Sequence, residues 1–157
     1  MLLRPPVPRA VQYIHAHGQG YADLHFVIPE TIEKIDFGKG TYFANKGDFA
    51  TAGYVSFQTK DKLESSTITF EAGQFNTTRM VGLFNLLENN KKHNAYIATE
   101  YILTDGPFDS PQNFNRFNLV GKYSVQVDNS SKLTFQASRF SSRWDASGQI
   151  PNRLVED

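Results

Sequence analysis

The alternation of apolar and polar side chains along residues 113–127 constrains the fold of this chain more than any other feature. Because successive side chains of a strand point to opposite faces, this alternation predicts a strand with one apolar and one polar face. We expect the polar side chains to be solvated, since burying their charges in an apolar medium costs free energy. The apolar set is Phe117, Leu119, Gly121, Tyr123, Val125 and Val127, and the other set is Arg116, Asn118, Val120, Lys122, Ser124 and Gln126.

Further segments of similar length surround this one. Residues 66–76 alternate, with Ile68, Phe70 and Ala72 on one face, residues 94–104 alternate more weakly, and residues 133–147 alternate with a slip near Arg139 and Phe140. Residues 78–88 have apolar side chains at helical spacing, but strand patterns on both sides leave no room for a crossover. We therefore predict a strand there, with both faces apolar because one packs on the preceding part of the chain.

The connections between these segments differ in kind. Residues 89–93 and 128–132 are short and polar, whereas residues 105–112 are longer and contain glycine and proline. Short turns at one end and longer loops at the other are typical of up-and-down barrels of the outer membrane. The second part of the chain is therefore predicted to be an antiparallel meander of about five strands.

Composition excludes several classes of function. The 157 residues contain no cysteine, so a disulfide framework and a thiolate site are excluded. Lys plus Arg and Asp plus Glu number 16 each, so no overall charge attracts nucleic acid. No apolar run approaches the roughly 18 residues of a membrane helix, whereas a barrel strand needs only alternation over about ten.

The first half of the chain is predicted to be strand, turns and strand over residues 32–60. An apolar series at Ile32, Ile35 and Phe37 is broken by glycines, and residues 54–59 alternate again. The apolar run at residues 24–28 predicts a buried strand. Pro29 then predicts a turn or a one-turn helix, because proline is tolerated at the first helical position.

This stretch resembles the C-terminal part of the plug domain of TonB-dependent outer-membrane receptors. That plug typically reads I-E-x-I-E-V, then x-x-G-P, then a small-residue turn ending in G-G-x-I-N-I-x-T-K. Two positions depart from this pattern: Thr41 stands where the family usually has proline, and Ala52 stands where the family usually has the first glycine of the G-G pair. The matching or conservatively changed positions are Ile32, Glu33, Ile35, Asp36, Gly40, Gly47, Gly53, Thr59 and Lys60.

The resemblance implies a mainly β fold, an antiparallel meander from a transmembrane β-barrel preceded by a small plug-domain remnant. Residues 15–62 would be the plug remnant, residues 63–157 the first five or so barrel strands, and residues 1–14 stay unassigned. It implies active uptake of a scarce ligand such as a siderophore, cobalamin, haem or an oligosaccharide, without enzymatic activity or a cofactor. The implied partners are outer-membrane lipid and an energising inner-membrane TonB-type protein. The residues that would bind the TonB-type partner, and an export signal, are expected upstream in a longer chain.

The candidate ligand contacts lie in a loop before the plug strands. The resemblance implies that this loop faces the incoming ligand; its members are His15, His17, Gln19, Tyr21 and Asp23. His15 and His17 could also hold a metal, but solvated loop histidines explain such spacing more often, and no metal site is predicted.

Two other classes of function stay open. One is a soluble β-sandwich that binds carbohydrate through exposed aromatic side chains. The other is a small glycosidase, which requires two converging carboxylates from among Glu64, Glu71, Glu88 and Glu100. We rank both below the receptor.

Overall fold

The structure, a computed structural model, describes residues 24–40, 43, 53–87, 90 and 92–145, together with the backbone of residues 10–12. These residues form two antiparallel sheets, so the predicted mainly β class is confirmed. The smaller sheet contains β1 (Ala10–Gln12), β2 (Ile32–Lys39) and β3 (Gly53–Thr59) in the order β1-β3-β2. A 3₁₀ turn, Pro29–Thr31, precedes β2 as the proline predicts.

The second sheet is a five-stranded meander in which each strand pairs with the next one along the chain. Its strands are β4 (Thr67–Ala72), β5 (Thr78–Asn85), β6 (His93–Thr104), β7 (Phe114–Gln126) and β8 (Lys132–Arg143). Both sheets are open. The chain passes from one sheet to the other between Thr59 and Thr67, across residues 60–66.

In two segments the local sequence pattern and the tertiary context favour different structures. Residues 78–85 form a strand as predicted, because β5 pairs with both β4 and β6 and this pairing overrides the helical spacing. The strand predicted at residues 24–28 is wrong. The chain turns there, with the Val27 amide donating to the Leu24 carbonyl at 3.1 Å, and the His25 carbonyl accepts a hydrogen bond from the Asn118 side chain.

The side of the five-stranded sheet that faces residues 24–40 and 53–63, here called the N-terminal unit, is its inner face. A small apolar cluster forms there from Ile28, Leu63, Val81, Tyr96, Ala98 and Val120. The inner face also carries charge, because Arg79, Glu100, Arg116 and Lys122 all lie on it by register. The expectation that Arg116 and Lys122 are solvated is wrong, since their side chains are only 14% and 1% exposed.

The opposite, outer face is apolar and exposed. Cross-strand partners share a face, so the register assigns this side directly. Its exposed apolar side chains are Ile68, Phe70, Met80, Phe84, Ile97, Tyr101, Leu103, Leu119, Leu133 and Phe135. On β5–β7 the sheet therefore covers its charged side chains together with the apolar cluster, and its outer face exposes apolar side chains. No helix among the described residues is long and apolar enough to cross a membrane.

Candidate functional site

The candidate site is the polar contact between the inner face and the N-terminal unit. Two groups of charged side chains make it. The arginine cluster consists of Arg79, Arg116, Glu100, Asn118 and Glu30, with Glu71 at its margin. The lysine cluster consists of Lys122, Lys132 and Asp61 with the oxygen atoms of Thr59 and Lys60.

Glu100 is the centre of the arginine cluster. It lies in the middle of β6 and is fully buried. Its Oε2 accepts hydrogen bonds from Arg79 Nε at 2.9 Å and Nη2 at 2.7 Å, and its Oε1 accepts one from Arg116 Nη2 at 2.6 Å and one from Asn118 at 3.1 Å. A buried carboxylate is tolerated only when it is paired and hydrogen-bonded in this way.

Arg79 joins this buried carboxylate to the N-terminal unit. Its two terminal nitrogens donate to the two carboxylate oxygens of Glu30 at 2.8 and 2.9 Å, the fork geometry that suits a guanidinium. These hydrogen bonds hold the pKa of Glu30 below its usual value and raise that of Arg79. Glu30 lies within the 3₁₀ turn that Pro29 begins, so the turn presents the carboxylate to the sheet.

Lys122 anchors the other end of the contact. Its side chain is 1% exposed, and Nζ donates to the main-chain carbonyls of Thr59 at 3.1 Å and Lys60 at 2.9 Å and to the Thr59 hydroxyl at 3.0 Å. Asp61 Oδ1 lies 3.1 Å from the same nitrogen, and its other oxygen pairs with Lys132. Burial opposes ionisation of Asp61, but the hydrogen bonds from Lys132 and Lys122 outweigh it and lower the pKa.

The contact between the sheet and the N-terminal unit therefore combines these charges and hydrogen bonds with the small apolar cluster. Asn118 donates to the His25 carbonyl at 2.8 Å, and the Thr59 hydroxyl donates to the Gln136 side chain at 3.2 Å. Such groups recover hydration when they separate, whereas an apolar contact of the same area would not. The arrangement is chemically suited to holding one unit against another without covalent or metal bonds.

The predicted ligand contacts cannot be placed in this site. His15, His17, Gln19, Tyr21 and Asp23 all lie outside the described residues. Of the carboxylates weighed as an acid and base pair, Glu71 and Glu100 meet the same guanidinium, that of Arg79, rather than an open cleft. Glu88 also lies outside the described residues.

The arginine and lysine clusters were not identified from the sequence as a site. The signal available in the sequence was the alternation along β7, which places Arg116 and Lys122 on one polar face. It does not tell which charge of a neighbouring strand stands opposite, and that depends on register.

No family model matches the chain, and neither a curated protein nor a solved structure shows significant similarity to it.

Proposed function

We propose that this chain is part of a TonB-dependent outer-membrane receptor. In this proposal the N-terminal unit is the end of the plug and the five-stranded sheet is the start of the barrel wall. The observation that carries the proposal is the orientation of the sheet: on β5–β7 the face with the charged side chains is covered, and the apolar side chains of the opposite face are exposed.

The energetics of the two faces support a membrane setting. Exposed side chains such as Phe70 and Phe135, at 73% and 59% exposure, gain free energy only when an apolar medium covers them. In a barrel wall, hydrocarbon covers the outward set and the inward set meets water, the lumen or a plug. A soluble sandwich places its apolar faces inward instead, so the observed orientation disfavours that alternative.

The polar contact supports the transport role. A plug must be held in its barrel at rest and be movable under force, and a contact that adds ion pairs and hydrogen bonds to one small apolar cluster suits both needs. The inner-membrane TonB-type partner would supply the force, and the ligand would be a scarce molecule bound on the outer side. The work is conformational, so the proposal assigns no catalytic residue.

Adjacent residues of β4 provide a direct test. Thr69 and Phe70 are both exposed but lie on the inner and outer faces, respectively. The chain contains no cysteine, so Thr69→Cys and Phe70→Cys can each carry a single fluorophore. With the protein reconstituted in lipid vesicles, a quencher on the lipid acyl chain should dim the label at position 70 and spare the label at position 69.

The two failures of this test have distinct meanings. Equal quenching at the two positions would contradict a barrel wall, and no quenching at either would favour a protein that lies outside the bilayer. In the second case the apolar face must meet another protein surface, and sedimentation of the detergent-free protein would detect the complex.

A further inference from the structure

The outer face is not flat, because a shallow groove runs along it between β6, β7 and β8. One hollow of about 300 Å³ is lined by Ile97, Leu119, Gly121, Ala137 and Arg139, among others. A second hollow of about 530 Å³ shares Ile97, Gly121 and Ala137 with the first and continues to Tyr123 and Phe135. We name the two together the outer groove.

Small side chains create the groove. Gly121 stands between Ile97 and Ala137 in the register, and a Cβ added to it would meet nothing within 4 Å. The larger side chains of Leu119 and Tyr123 lie on either side of it along β7. Since a strand rises about 3.3 Å per residue, the groove from position 119 to position 123 is roughly 13 Å long.

Charge is confined to one end of this groove. Among the described strand residues of the outer face, Arg139 and Arg143 are the only lysine or arginine side chains, and no Asp or Glu accompanies them. Arg139 stands opposite Leu119, at the end of the groove, and Arg143 lies four residues farther along the same face of β8. Neither arginine has an ion pair within the part of the chain that the structure describes.

We propose that the outer groove binds one anionic lipid, with an acyl chain along Gly121 and Ala137 and the headgroup phosphate at Arg139. The proposal rests on the membrane placement argued above and adds a specific lipid site to it. A phosphate matches the fork of a guanidinium, and Arg143 adds positive charge on the headgroup side. A neutral lipid would cover the same apolar surface but bring no counter-charge to the two arginines, which have none among the described residues.

The single tryptophan of the chain reports on this site. Trp144 follows Arg143 directly and is 52% exposed. We would reconstitute the protein in phosphatidylcholine vesicles and add phosphatidylglycerol or phosphatidylcholine bearing the same nitroxide near the headgroup. The ratio of the two quenching curves measures the preference for the anionic lipid. At low salt we expect a preference of about five-fold for phosphatidylglycerol, the contribution of one arginine near the headgroup. In Arg139→Gln the two lipids should quench almost equally.

Groove-filling variants separate a bound lipid from diffuse attraction. Gly121→Leu, or Ala137→Leu from the neighbouring strand, should reduce the preference although both arginines remain. Lys34→Gln removes one exposed positive charge of the small sheet and should leave the preference unchanged. Full preference in both groove-filling variants would overturn the lipid site. Equal quenching by both lipids in the unmodified protein would also overturn it while the membrane placement stands. Absence of quenching by either lipid would overturn both.

Discussion

Lys122 donates a hydrogen bond of 2.9 Å to the main-chain carbonyl of Lys60, which ties the middle of β7 to the point where the chain leaves the small sheet. The two lysines do not repel each other here, because Lys122 contributes its charged amine whereas Lys60 contributes only its main-chain carbonyl. A side chain that satisfies the carbonyls of Thr59 and Lys60 also fixes the direction in which the chain enters the five-stranded sheet.

Removal of this amine should destabilise the contact. Lys122→Met removes the amine that donates to the Thr59 and Lys60 carbonyls, and an unsatisfied buried polar group costs about 1–3 kcal/mol. Denaturant unfolding should therefore show a loss in this range. The matched change Lys34→Met, at an exposed position, should shift the free energy of unfolding by less than about 0.5 kcal/mol. Equal losses in the two variants would refute a special role for Lys122.

The two glutamates that meet Arg79 should differ sharply. Glu100 is fully buried between two guanidinium groups, whereas the Glu71 side chain is 51% exposed. Glu100→Gln should cost about 3–5 kcal/mol, since it removes the carboxylate that pairs with Arg116 and one of the carboxylates that pair with Arg79. Glu71→Gln should cost between 0 and about 1 kcal/mol. If denaturant midpoints show the two variants to be equivalent, the arginine cluster is not centred on Glu100.

The contact should weaken in acid. Glu30 and Asp61 have folded-state pKa values below their ordinary 4.5 and 3.8, so their stabilising contribution is present above those values and is lost as the pH falls below them. Stability measured by urea unfolding should therefore decline below about pH 4.5. Glu30→Gln should flatten the upper part of this decline. An unchanged pH profile in that variant would mean that Glu30 does not report on the contact.

Gly53 should not tolerate a side chain. Its φ is +152°, and an added Cβ would lie 2.5 Å from the Gly38 carbonyl oxygen on the neighbouring strand. Gly53→Ala should cost about 1 kcal/mol or more, whereas Gly121→Ala, with open space around it, should be neutral or slightly stabilising. Thermal unfolding of both variants checks this. Gly47, another glycine at a position that matches the plug motif, lies outside the described residues.

The five-stranded sheet was largely predictable because its pattern has a period of two. Alternation identified four of its strands directly and assigned Leu119 and Lys122 to opposite faces, which the register confirms. The strand at residues 78–85 needed context, since its own spacing is helical. In both cases the information lies within one segment or between adjacent segments of the chain.

The arginine and lysine clusters were not predictable, because the information that determines them does not lie within one segment of the chain. Arg79, Glu100 and Arg116 come from three strands, and their meeting depends on the register between strands rather than on the pattern within any one. The same holds for residues 24–28, which look like a strand locally. Their turn instead brings Ile28 into the apolar cluster and the His25 carbonyl to Asn118, and both contacts lie far away in the sequence.

The open edge of β8 affects how this protein must be handled. Of the described strands only β7 pairs with it, so one side of its twelve residues presents free amide and carbonyl groups. Such an edge can pair with a strand of another molecule, and in a concentrated sample the commonest partner is a second copy of the chain. In a concentrated sample the chain should therefore associate edge to edge. Its apparent size should grow with concentration, and dilute refolding should give the most homogeneous preparation.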